Sequence, residues 1–124
     1  MPENNYIARM SEQGSVYISE EVVAAIVTQA VREVDGVSGF ATSLGGEIAE
    51  RLGKKTASRG VKIAFEENAV LVEAFILVQY GVVIGDAATA VQEAVAESVE
   101  SITGVRVKTV NVTVCGIQFD KESK

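Results

Sequence analysis

The sequence predicts a small α+β domain in which a mixed or antiparallel sheet of about three to four strands carries two main helices on one face. Three observations support this fold class. Two segments repeat apolar residues at spacings of three and four, which is typical of a helix with one buried stripe. Other segments alternate apolar and polar residues, as half-buried strands do. The chain has 124 residues, of which 48% are hydrophobic, and this suffices for one domain with its own core.

The first helix is predicted to begin after Ser19, whose hydroxyl can accept a free backbone N–H of the first turn. Two glutamates follow directly, where the helix dipole favours negative charge. The helix is expected to end at Asp35-Gly36, because glycine readily adopts the left-handed conformation of a helix cap. Residues 16–18, just before the helix, form a short strand candidate.

A hairpin is predicted in the second half of the chain. Residues 61–65 and 69–80 alternate as strands do, and Glu66-Glu67-Asn68 between them is a turn signal. On the longer strand, one face carries the predicted core residues. The other face carries Leu71, Phe75 and Leu77, which is unusual for a face turned only to water.

The second helix is predicted between Gly85-Asp86 and Thr103-Gly104. The last strand is predicted over residues 105–119, and a change of phase near Gly116 indicates a bulge or bend. The predicted core takes apolar residues from both helices and from the three long strands, namely Val23, Ile26, Val27, Ala30, Val61, Ile63, Val70, Val72, Ile76, Val78, Val91, Val95, Val110, Val112 and Val114.

The domain is predicted to cover residues 14–119, between a flexible polar tail at 1–13 and a charged tail at 120–124. Residues 37–60 are rich in glycine and are expected to form a long surface loop. The longest uncharged stretch, residues 74–85, is shorter than the roughly 20 residues of a membrane-spanning helix. We therefore expect no direct membrane span.

The composition excludes several classes of function. The chain has no His, so it cannot contain a Ser-His-Asp triad or a histidine metal ligand. Its single cysteine, Cys115, allows no internal disulfide and no structural zinc cage, and it favours a reducing, cytoplasmic location. The net charge of −6 argues against nucleic-acid binding. We predict no enzymatic activity, no cofactor and no metal site.

Charge and apolar residues together indicate an interaction surface. The segment from 51 to 59 is basic, the outer face of the second helix is acidic, and the second face of the long strand is apolar. The basic segment is either a solvated loop or a contact for an anion, such as a lipid headgroup or the acidic helix of another copy. The candidate residues are Arg51, Lys54, Lys55 and Arg59, then Glu93, Glu97 and Glu100, and finally Leu71, Phe75 and Leu77.

Several short segments follow one another in a characteristic order along the chain. They include Gly14-Ser15-Val16-Tyr17-Ile18-Ser19, Glu33-Val34-Asp35-Gly36-Val37, Gly60-Val61-Lys62-Ile63, Tyr80-Gly81-Val82-Val83-Ile84, Val99-Glu100-Ser101-Ile102-Thr103-Gly104 and Gly116-Ile117-Gln118-Phe119. This ordered set resembles the alkaline shock protein family, small envelope-stress proteins of Gram-positive bacteria. One departure is that Gly85-Asp86 stands where the family often has a proline, which alters a helix start.

This resemblance implies a cytoplasmic, non-enzymatic protein of the envelope or general stress response. Some family members self-assemble and are held at the membrane by a separate anchor protein, and others are encoded beside genes of fatty-acid metabolism. The leading hypothesis is therefore a self-associating scaffold or interaction module. The alternative is a small regulatory module, linked to lipid metabolism, that binds an acyl or anionic ligand. A pocket lined by apolar residues with one or two polar groups would favour the alternative.

Overall fold

The computed structural model describes residues 6–41 and 60–119, and it confirms the α+β class. Six strands and two helices lie in these two ranges. In chain order they are β1 (Tyr6–Ser11), β2 (Gly14–Ser19), α1 (Glu20–Arg32), β3 (Val37–Phe40), β4 (Val61–Glu66), β5 (Ala69–Gln79), α2 (Ile84–Thr103) and β6 (Arg106–Gln118).

The main sheet is mixed and has β5 at its centre. β3 and β4 both pair antiparallel with one side of β5, and β6 pairs parallel with the other side. Two parallel neighbours need a crossover connection, and α2 supplies it between β5 and β6. α1 contacts β4 and α2, and α2 contacts β6, so both helices cover the same face of the sheet.

The local signals at the start of α1 and in the β4–β5 hairpin act as predicted. The predicted end of α1 at Asp35-Gly36 is wrong, because the helix ends at Arg32 and its C-cap is Glu33, which keeps a right-handed φ of −88°. The Ser19 hydroxyl accepts a hydrogen bond of 3.2 Å from the N–H of Val22 and so caps α1. Glu67 and Asn68 turn the hairpin with positive φ angles of 52° and 67°. Two positive φ angles in a two-residue loop match the right-handed twist of the flanking strands.

The end of α2 is held by side-chain and backbone bonds. Gly104 adopts the left-handed conformation with φ 78°, and its N–H donates to the carbonyl of Glu100 over 2.9 Å. The Thr103 hydroxyl donates to the carbonyl of Val99 and accepts from the N–H of Val105. These bonds satisfy groups that a helix end leaves free, and they turn the chain directly into β6.

The predicted phase change in the last strand is a bulge. β6 is in register with β5 up to Val114 opposite Ile76, and it resumes with Gly116 opposite Leu77, so Cys115 is the inserted residue. A second shift leaves Lys108 unpaired near the start of β6. A bulge bends a strand and shifts the alternation of its side chains. The apolar residues before and after the bulge, which are out of phase with one another, can therefore belong to one strand.

The core lies between the helices and the covered face of the sheet, mostly as predicted. Eleven of the fifteen predicted core residues are buried, and Ile26, Val110, Val112 and Val114 are half-buried against them. The structure adds Ile7, Ala24, Val31, Ala74, Ala87, Val99 and Val105 to the buried set.

Two further segments differ from the sequence predictions. Residues 6–11 lie within the expected tail but form β1, which pairs with β2 in a separate two-stranded sheet and buries Ile7. Residues 37–40 lie within the expected loop but form β3, which pairs with the end of β5. β3 has only four residues and its partner β5 lies far along the chain. β1 pairs with the neighbouring β2 but buries only Ile7, so it lacks a clear apolar alternation. Within residues 6–41 and 60–119, neither helix is long and apolar enough to cross a membrane.

Candidate interaction surfaces

The face of the sheet opposite the helices, here called the open face, carries the three predicted apolar residues. Leu71, Phe75 and Leu77 share this face of β5 and are all half-buried. The neighbouring strands contribute smaller or polar residues to the same face, because directly paired residues point to the same side. These are Lys62 and Ala64 from β4, and Thr109, Asn111 and Thr113 from β6.

The acidic residues of α2 do not form a uniform free face. Glu93, Glu97 and Glu100 are all exposed on α2, but Glu100 also accepts a hydrogen bond of 2.9 Å from the N–H of Val107 in β6. Glu100 therefore links α2 to β6 as well as contributing charge. The basic candidates Arg51, Lys54, Lys55 and Arg59 lie outside the described residues, so their pairing with this acidic surface stays a prediction.

α2 also bonds the backbone of β6 at a second place, which the sequence analysis missed. The Gln92 side-chain amide donates to the carbonyl of Val110 over 2.9 Å. Gln92 and Glu100 thus bond backbone groups in the first half of β6 that β5 does not bond. No local pattern could reveal these bonds, because the partners are 18 and 7 positions apart.

An exposed apolar cluster lies where β5 and β6 end. The rings of Tyr80 and Phe119 stack with centroids 4.9 Å apart, and the Tyr80 N–H donates to the carbonyl of Gln118. Tyr80 is 68% exposed and Phe119 is 63% exposed, so the stack faces solvent. Ile117 on the same strand is exposed as well. Such concentrations of apolar surface mark interaction sites more often than scattered residues do.

A groove of about 440 Å³ separates the β1–β2 hairpin from the end of α2. Ile102 continues the buried stripe of α2 beyond the core and is 66% exposed there. The Arg9 side chain lies against Gly104, where a positive charge is favoured by the helix dipole. Within residues 6–41 and 60–119, Arg9 has no acidic partner. The lining consists of Arg9, Val16, Ile18, Val22, Ser101, Ile102, Thr103 and Gly104.

Cys115 is half-buried at the bulge of β6. Burial raises the pKa of its thiol, because desolvation disfavours the charged thiolate. In the part of the chain that the structure describes, no three residues of the types that ligate metals come together.

These features define an α+β domain with a helix-covered sheet face, an open face and a partly bonded sheet edge. Residues 8–119 match the model of the alkaline shock protein 23 family, which is described as having a cell envelope-related function. The chain belongs to this family, as its sequence resemblance implied.

Two relatives from Bacillus subtilis extend this match over most of the chain. The chain is 31% identical to the uncharacterized protein YqhY over 111 residues, which cover 90% of this chain and 82% of the relative. It is also 31% identical to the uncharacterized protein YloU over 110 residues, which cover 87% of this chain and 92% of that protein.

Among solved structures, the fold is similar to that of the MamM CTD. One variant aligns with a TM-score of 0.51 and 17% sequence identity, over 80% of this chain and 96% of that one. Related MamM structures include a nickel form and a copper form. At this level of identity the similarity concerns the fold alone.

Proposed function

We propose that this protein is a non-enzymatic, self-associating scaffold that serves the cell envelope. The observation that carries this proposal is the open face of the sheet. It places Leu71, Phe75 and Leu77 together, on the side away from both helices. A sheet face that meets only water normally carries polar residues. Three large apolar side chains on one face favour contact with another surface.

The proposal includes a location and a partner class. The protein is cytoplasmic, takes part in the envelope or general stress response, and reaches the membrane through a separate anchor protein. The family's envelope-related function and the absence of a spanning helix in the described residues support this arrangement. Acidic residues of α2 and the basic residues 51–59 contribute a second, salt-sensitive contact between copies.

Self-association is tested by light scattering and sedimentation over a range of protein concentrations. We expect the mass of the wild-type particle to rise with concentration and the rise to be weaker for Phe75→Ser, which removes apolar surface from the open face. Tyr17→Ser is the control, because Tyr17 is likewise an aromatic residue of a strand, but it is exposed and lies on the β1–β2 hairpin. A wild-type protein that stays monomeric at every concentration overturns the proposal.

The same measurement at several salt concentrations separates the two kinds of contact. Apolar association persists as salt rises, whereas pairing of acidic and basic patches weakens because exposed charges are screened. Glu93→Gln with Glu97→Gln should remove the salt-sensitive part. Glu100 is left intact in this variant because it also bonds β6.

A second candidate function is favoured by the groove beside Arg9. Apolar walls with one guanidinium that lacks an acidic partner in the described residues suit a ligand with an apolar chain and a carboxylate. Decanoate is a suitable probe, followed by NMR shifts of groove residues. We expect Arg9→Gln to weaken binding and the control Lys108→Gln to leave it unchanged. Shifts absent with the wild-type protein exclude this function.

A further inference from the structure

The free edge of β6 points to a specific pairing between two copies. β6 is the longest strand, and on its side away from β5 no strand of residues 6–41 or 60–119 pairs with it. An unpaired edge presents a row of N–H and C=O groups that can extend a sheet into another chain. The two halves of this edge differ in whether side chains of α2 bond its backbone groups.

The first half of the edge is occupied by α2. Val107 donates its N–H to Glu100, and the carbonyl of Val110 accepts from Gln92. Successive residues of a strand alternate between its two edges, so the N–H and C=O groups of Val112 and Val114 point the same way as those of Val110. None of the described side chains bonds them.

The second half of the edge also lacks the usual protection against pairing. Exposed edges are normally guarded by charged residues or proline, but residues 109–119 contain neither. By contrast, the shorter β4 carries Lys62 and Glu66. The exposed side chain of Ile117 lies near the end of the free part of β6, exposed Phe119 follows it, and Tyr80 stacks on Phe119.

We infer that two copies of this chain pair antiparallel through the second half of their β6 edges and form one continuous sheet. The inference deepens the proposed self-association and depends on it. A second copy is the favoured occupant because this uncharged edge is complementary to itself. Two chains of net charge −6 repel one another, and an uncharged segment adds no like-charge contact to that repulsion.

The symmetry of such a pair fixes which residues meet. The free segment, residues 111–118, has its midpoint at Val114-Cys115, and an isologous contact places that midpoint on the two-fold axis. Thr113 of each copy then lies within two residues of the axis, with its side chain on the open face. Pairing also joins the two open faces into one apolar surface, and contact through that surface would extend the dimer into a larger assembly.

A charge-swap experiment at Thr113 tests the pairing in the Phe75→Ser background, which removes the open-face contact. In this register Thr113 lies opposite Gly116 of the other copy, so Thr113→Lys and Thr113→Glu each bring two like charges close to the axis on the same face. At low salt we expect each to raise the dimer dissociation constant about two- to fivefold. An equal mixture of the two variants should recover the dimer. The matched control is Ala64→Lys with Ala64→Glu, because Ala64 is exposed on the open face of β4, away from the β6 edge.

Hydrogen exchange provides a second, residue-level measurement in the same background. In the dimer, the amides of Val112 and Val114 should exchange more slowly as protein concentration rises. The amide of Val107 should change little, because Glu100 already accepts its hydrogen bond.

The outcomes separate the inference from the function on which it rests. Weakening and rescue at Thr113 alone support the edge pairing. Equal effects at Thr113 and Ala64, or an association that neither position alters, overturn the edge pairing and leave self-association through another surface. A protein that is monomeric before any substitution overturns both.

Discussion

The two faces of the central strand β5 differ in how completely they are covered. Val70, Val72, Ala74, Ile76 and Val78 point toward the helices, and each has 0% exposure. The residues between them, including Leu71, Phe75 and Leu77, point to the open face and are only half-buried. One strand therefore combines a fully apolar face that holds the fold together with a face on which Leu71, Phe75 and Leu77 accompany Glu73 and which the described helices leave uncovered.

This difference separates stability from association along a single strand. Burial of apolar area stabilises the domain by roughly 25 cal/mol per Å² removed from water, so the covered face supplies most of that stabilisation. The open face retains accessible apolar area that a second molecule can still bury. Substitutions on the covered face should therefore change unfolding, and substitutions on the open face should change assembly.

The largest expected effect comes from comparing neighbouring residues on opposite faces. Ile76→Ala should lower the free energy of unfolding by about 2–5 kcal/mol, because it leaves a cavity in a fully buried site. Leu77→Ala should cost clearly less, because Leu77 is half-buried and water can refill its site. Urea unfolding at low protein concentration, where the chain is dissociated, measures both. Equal losses would contradict the proposed division between the faces.

A smaller effect is expected at the end of α2, which closes the covered face. Gly104→Ala should destabilise the protein by about 1–2 kcal/mol, because alanine is strained at φ 78° and its Cβ would collide with the Arg9 side chain. Gly85→Ala is the matched control near the start of α2. Its Cβ meets open space, and alanine should stabilise the helix by up to about 1 kcal/mol. Thermal unfolding of the two variants should therefore shift in opposite directions.

The covered face was largely predictable from sequence, because local chemistry and periodicity determine it. The capping hydroxyl of Ser19, the Glu67-Asn68 turn and the alternation along β5 each act over a few residues. Of the fifteen predicted core residues, those that are only half-buried belong mostly to β6, the edge strand with two bulges. Burial there depends on how the bulges aim side chains, which periodicity cannot specify.

The features that sequence reasoning missed either lack a local apolar pattern or depend on distant partners. β1 reads as a polar tail because only Ile7 is buried, and β3 has just four residues including a glycine. Glu100 was predicted to contribute only charge to an acidic surface, yet it also bonds the β6 backbone. The open-face residues were grouped correctly by alternation, whereas the basic residues 51–59 lie outside the described residues and their role stays a prediction.

The ion pair between Lys108 and Glu66 tests how much exposed charge on the sheet contributes to stability. Nζ of Lys108 and Oε1 of Glu66 are 3.3 Å apart, but the two side chains are 47% and 50% exposed. Water and salt screen such a pair, so a double-mutant cycle of Lys108→Ala and Glu66→Ala should give a coupling energy below about 0.5 kcal/mol. Denaturant unfolding of the four proteins measures it. A coupling above about 1 kcal/mol would mean that surface charge contributes more to this sheet than we expect.

The smallest expected effect concerns the thiol of Cys115, which lies at the bulge where β6 changes phase. Burial raises its pKa, so at any given alkaline pH the folded protein carries less thiolate than the unfolded chain. Alkylation by iodoacetamide should therefore be slower in the folded protein, and its pH profile should lie at higher pH than that of the chain unfolded in urea.

Because the unfolded chain loses this proton first, the thiol's contribution to stability is present below the unfolded pKa and is lost as pH rises through the folded pKa. Cys115→Ser should remove that part of the alkaline loss of stability, and identical alkylation profiles for folded and unfolded protein would show that the bulge does not shield the thiol.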